Sequence, residues 1–151
     1  MSQAVVGCSA WLNTFLQHRG LSQSDQRILY AYQCTYEEYI QLKHLLNRIG
    51  DFSSLVENKF ACAALFLFVS EWYRREYYSE LGWTWDPIWE TLSLNLSATD
   101  ISKAIPNGLE RFWRRPLHRY LAGRRDFIGS LFGEGGLPFK VLRESGGRFQ
   151  S

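Results

Sequence analysis

The segment Trp72-Tyr-Arg-Arg-Glu-Tyr-Tyr78 places two arginines among four aromatic rings, directly after Glu71. On a helix Glu71 and Arg75 stand four apart and can pair, with Trp72 turned to the core. One reading is therefore an intrahelical ion pair, worth about 0.3–0.5 kcal/mol, beside a core tryptophan. The other adds Trp83, Trp85 and Trp89 from the residues that follow. Aromatic faces and guanidinium forks gathered over so short a stretch suit a protein–protein hot spot or a stack for unpaired bases. The candidate partner-binding set is Trp72, Arg74, Arg75, Tyr78, Trp83 and Trp85.

A second concentration is basic. Arg111, Arg114, Arg115, Arg119, Arg124 and Arg125, with His118 between them, are opposed only by Glu110 and Asp126. On a helix Arg111, Arg115, His118 and Arg119 would share the face opposite Phe112 and Trp113, and Pro116 splits that face. Such a stretch is either a solvated patch that neutralises acid on a neighbouring domain or a surface for nucleic-acid phosphates, whose signature is a steep salt dependence. No recognition helix, zinc finger or aromatic sheet platform accompanies it, so any nucleic-acid binding is expected to be independent of sequence.

The remaining chemistry is sparse. His18, His44 and His118 lie far apart and none stands in a Cys/His cluster, so no metal or cofactor is expected. Glu71, Glu76 and Glu80 fit a helical salt-bridge ladder better than a paired-carboxylate site, since no second group is placed to work with them. The run Gly133 to Lys140 resembles a phosphate loop only loosely: Pro138 intrudes, no strand precedes it and no Ser or Thr follows the lysine. No catalytic motif is present, and the expectation is a domain without enzymatic activity.

These residues need a scaffold, and the sequence indicates a helical one. A chain of 151 residues, 46% hydrophobic and 21% charged, supports one globular domain over residues 1–151. Its formal charge of +2 is too small to imply a polyanion partner by itself, although 13 of its 17 basic residues are arginine. Three widely spaced cysteines argue against a disulfide framework, and no export signal opens the sequence; a reducing, cytoplasmic setting follows.

The ten uncharged residues Phe60 to Val69 are too few to cross a bilayer, which takes about 20, and show no strand alternation. They predict a central helix, about residues 55–78, buried on nearly all sides. Around it the sequence predicts a helix over roughly 10–19 with Ser9 as N-cap and Gly20 as its stop. Ile28 to Cys34 reads as an extended connector or a single strand. Thr35-Tyr-Glu-Glu38 reads as a capping box opening a helix that Gly50 closes. Asp86-Pro87 starts a short helix carrying Ile88, Trp89 and Leu92, and Ser97 to Asp100 starts another. Pro106-Asn-Gly108 then predicts two short helices or one kinked helix. A last pair would hold Phe127 to Phe132 and Val141-Leu142. The fold class is all-α, a single orthogonally packed domain of about six to eight helices.

Several stretches also carry a likeness: Ala10 to Leu16, Leu29 to Tyr32 with Thr35 to Glu38, Phe66 to Tyr77, Trp83 to Ile88, Phe112 to Leu117 and Gly135 to Pro138. In this order the sequence resembles the N-terminal region of large bacterial proteins encoded on mobile elements and anti-phage defence islands. The resemblance implies a cytoplasmic, multi-domain defence protein and transfers no catalytic residue. The C-terminus, short against that pattern, suggests an excised domain or a natural remnant. The resulting expectation is a non-catalytic helical interaction or assembly domain of an anti-phage defence protein, docking onto a partner or a downstream domain, away from membranes. The alternative is sequence-independent nucleic-acid binding through residues 111–125.

Overall fold

A computed structural model describes residues 3–25, 29–49, 52–76, 86–94 and 96–114. Helix α1 spans Gln3–Gln17; a 3-10 turn over Leu29–Ala31 follows, then α2 (Tyr36–Asn47), α3 (Phe52–Glu57), α4 (Lys59–Glu76), α5 (Asp86–Leu92) and α6 (Ala98–Ile105). A π-helical segment, Pro106–Phe112, continues directly from α6. No strand occurs among the described residues, and the all-α class holds. The last predicted pair, Phe127 to Phe132 and Val141-Leu142, lies outside the described residues.

Helix α4 is the axis of the core. Every residue from Ala61 to Tyr73 is buried, because α1, α2, α3, α6, the 3-10 turn and the π segment all pack on it. An apolar run with no wet side has this environment as its natural solution. The predicted start at 55 is corrected to Lys59, with α3 split off before it. Asn58 makes the break: its Oδ1 accepts from the amides of Phe60 (3.0 Å) and Ala61 (2.9 Å), the orphan donors of a helix start. Carbonyls left open at the end of α3 are also taken up. The Cys62 thiol donates to Leu55 O and Val56 O, and Asn107 Nδ2 donates to Val56 O at 2.9 Å. The described helix ends at Glu76, and 77–78 fall outside the described residues.

Three other boundaries differ from the sequence reading. Helix α1 begins at Gln3, and Ser9 lies inside it rather than capping it. Cys8, four residues before Leu12 and like it fully buried, extends its apolar stripe upstream of Trp11. The stop is where expected: Gly20 has φ +75°, and the Leu21 amide reaches back to Leu16 O at 2.9 Å. Helix α2 ends at Asn47 with Arg48 as its C-cap, two residues before Gly50, which lies outside the described residues. The expected extended connector contains a 3-10 turn instead, and Gln33 sits at φ 49°. Its carbonyls have side-chain partners, so no neighbouring strand is required.

Both capping boxes form as read, Thr35 with Glu38 and Ser97 with Asp100. After α6 the predicted kink at Pro106 takes the form of a widened turn, with the Trp113 amide bonded to Gly108 O five residues back at 3.0 Å. Gly108 is the point of closest approach to α4. A Cβ there would lie 2.6 Å from Phe66 Cδ2 and 2.9 Å from both atoms of the Cys62 backbone carbonyl.

Candidate interaction surface

Two charged clamps close on the connector between the 3-10 turn and α2. Arg19, at the end of α1, uses all five of its N–H donors. Its Nε donates to Tyr32 O (3.2 Å), one terminal nitrogen to Phe15 O (2.9 Å) and Glu38 Oε2 (3.1 Å), the other to Gln33 O (2.9 Å) and Glu38 Oε1 (2.8 Å). The guanidinium also lies 3.7 Å from the centre of the Phe15 ring. From the opposite side, Glu71 of α4 is 1% exposed and accepts from Cys34 N at 2.8 Å. Its carboxylate is held by Arg74, and by Arg75 Nε at 3.1 Å, while both arginines also donate to Cys34 O. Every charge of this buried group is thus paired and hydrogen-bonded, the condition under which burial is tolerated.

Burial pushes the Glu38 carboxyl up, but the fork from Arg19 and the Thr35 amide more than offset it and hold it below the usual range. The stability this supplies is therefore present above the ordinary carboxylate pKa and is lost as pH falls through the depressed value. In acid titrations followed by thermal unfolding, Glu38→Gln should lower Tm at neutral pH and flatten the drop in Tm on acidification. An acid limb as steep as that of the parent would assign the drop to other groups.

The thiols show no reactive setting. Burial pushes Cys8 and Cys62 up to about 12 and raises Cys34 further still. None of these thiols is poised as a thiolate nucleophile. Among the described residues no group of His, Cys, Asp or Glu is arranged to hold a metal ion.

The first predicted site divides. Trp72 is 7% exposed, packs edge-on against Tyr73 at 5.1 Å and lines a groove where the end of α4 meets α2 and α5. Tyr36, Tyr39, Ile40, Lys43 and Glu76 complete much of that groove, whose volume is about 540 Å³. Arg75 stands 5.2 Å from the ring centre of Tyr39 and 5.8 Å from that of Tyr36. Tyr36 itself is 67% exposed, the largest exposure of a big apolar side chain among the described residues. Trp72 thus lines the groove and Arg75 stands beside its tyrosines, whereas Arg74 is turned to Glu71 and Cys34 O and is not part of the lining; Tyr78, Trp83 and Trp85 lie outside the described residues.

Tyr36 was not singled out by its sequence, because a tyrosine following a helix cap looks like any first-turn residue. In the basic stretch Arg111 and Arg114 are exposed, and Arg111 donates to Asn107 Oδ1 at 3.0 Å. Arg115, Arg119, Arg124 and Arg125 lie outside the described residues. No described helix is long and apolar enough to cross a membrane.

Comparison with known proteins adds context. A family model described as the YjiT N-terminal domain matches residues 2–137. Protein YjiT of Escherichia coli (strain K12) is 46% identical over 144 residues, covering 95% of this chain. The chain spans 28% of the length of that relative. No solved structure matches.

Proposed function

The chain belongs to the YjiT N-terminal domain family, and from that premise we propose that it is a non-catalytic helical interaction domain which docks onto other parts of a larger protein. The observation that carries this reading is the groove between α2, α4 and α5. There Tyr36 stands 67% exposed beside Arg75, over a floor that includes the buried Trp72. An aromatic left to water next to an arginine is the composition enriched at binding hot spots, and truncating such an anchor removes about 2 kcal/mol or more of binding. The length of the E. coli relative, of which this chain spans 28%, supports a partner within the same polypeptide. The setting we propose is a bacterial anti-phage defence protein, as the resemblance of the sequence implies.

The test uses Tyr36→Ala and Lys43→Glu, both on the groove; neither side chain supplies a hydrogen bond to the clamps, and Tyr36 meets them only through its ring beside Arg75. Co-purification with the separately expressed remainder of a full-length family member should fall at least tenfold for each variant. Melting temperatures should stay within a degree or two of the parent. Unchanged co-purification would remove this groove as an interface, and a large loss of Tm would make Tyr36 part of the fold. Protection against phage in cells carrying the full-length variants checks the proposed setting. Salt-sensitive retention of the unaltered domain on DNA or RNA would favour the arginine stretch instead.

A further inference from the structure

A second groove, on a different face, runs along α1 and α2. The two helices are antiparallel neighbours: Trp11 Nε1 donates to Gln41 Oε1 at 3.2 Å, and a Cβ on Gly7 would stand 3.1 Å from Leu45 Cδ1. The lining begins at Gly7 on α1 and reaches His18, the residue just after its end, eleven positions or about 17 Å of helical rise away. Its volume is about 540 Å³. The α1 side is small where a partner backbone would approach, at the exposed Ala10 and Thr14, and carries one large anchor, Trp11, stacked on Phe15 at 5.1 Å and 18°.

The charge of this groove is one-sided. Its acid, Glu38, is engaged by Arg19, by the Thr35 amide and by His18, whose Nδ1 lies 3.6 Å away. Arg48 at the far end is exposed and forms no ion pair with a described residue, and His44 lies one turn before it on α2. The groove therefore offers positive charge and N–H donors with no uncommitted carboxylate.

We propose that the α1–α2 groove is a seat for an amphipathic partner helix that bears small apolar residues on its inner stripe and carboxylates along its flank. Small residues permit close approach of two helix backbones, Trp11 supplies the desolvated anchor, and Arg48 pairs with an acid on the occupant. A nucleic-acid backbone fits less well, because phosphate tracking requires cations along the whole path and Arg48 is the one arginine or lysine that lines the groove without an acidic partner among the described residues.

Labelled synthetic helices test this by fluorescence anisotropy with the 151-residue chain. One has an Ala/Leu stripe flanked by Glu, a second has Lys in place of each Glu, and a DNA duplex is the third probe. The Glu helix should bind at least tenfold more tightly than the Lys helix. Arg48→Glu should reverse that order, and Trp11→Ala should weaken the Glu helix at least tenfold, with circular dichroism unchanged for both. Tyr36→Ala should leave this binding as it is, which separates this groove from the one proposed above. Equal affinity for the two helices, binding of neither, or displacement of the Glu helix by the duplex would overturn the proposal.

Discussion

Glu71→Gln is expected to destabilise the domain by about 3–5 kcal/mol in urea unfolding, the range for breaking a buried ion pair from one side. The carboxylate is 1% exposed, while the side chains of Arg74 and Arg75 keep 21% and 24% exposure, so the glutamate carries most of the desolvation. Glutamine matches its shape but removes the charge that two guanidiniums share. It also replaces one carboxylate oxygen with an amide donor facing Arg74, Arg75 or the Cys34 amide. A loss under about 1 kcal/mol would mean that the cluster rearranges freely and that the connector is not held from α4. Arg75→Lys should cost less, because a single ammonium still pairs while the bond to Cys34 O is given up.

Trp113→Ala is expected to cost a comparable ~3–5 kcal/mol, the range for truncating a large buried aromatic. The ring is fully buried, its indole N–H donates to Ala63 O at 3.0 Å, and it packs against Tyr32 at 4.8 Å and Phe112 at 4.9 Å. Truncation empties that volume beside the main axis of the core. Trp113→Phe keeps much of the volume and loses the N–H bond, so it should fall between parent and alanine variant in Tm. If all three melted together, the segment from Pro106 onward would contribute nothing to the cooperative unit.

Much of this was legible because it is local. Thr35 and Glu38, Ser97 and Asp100, and the stop at Gly20 are each specified by residues a few positions apart, and each formed as read. The burial of α4 was legible from Phe60 to Val69 because an unbroken apolar run allows few other environments. What escaped was long-range. Arg19 gives no hint of reaching Tyr32, Gln33 and Glu38, and Glu71, read as one end of an intrahelical pair, also bonds a backbone 37 residues away. The break at Asn58 was missed because the apolar residues on both sides suit one continuous helix, and only the direction of the Asn58 side chain separates them. For the candidate site, composition pointed to Trp72, which lines the groove, and to Arg75, which stands beside it. Tyr36 was missed, since its exposure depends on how α2 lies against α4 and α5.

The bond from Ser24 Oγ to Trp113 O, 2.7 Å long and spanning 89 residues, has a consequence for the protein during its synthesis. The side of α4 that Gly108 and Trp113 cover belongs to a helix complete by Glu76, yet its cover is translated 37 residues later. At about 5–20 residues per second that interval lasts roughly 2–7 s. Through it, the nascent polypeptide presents Cys62, Ala63 and Phe66 without the segment that closes over them. Once α4 has cleared the exit tunnel, a ribosome stalled before Gly108 emerges would therefore display one of the most apolar stretches of the sequence.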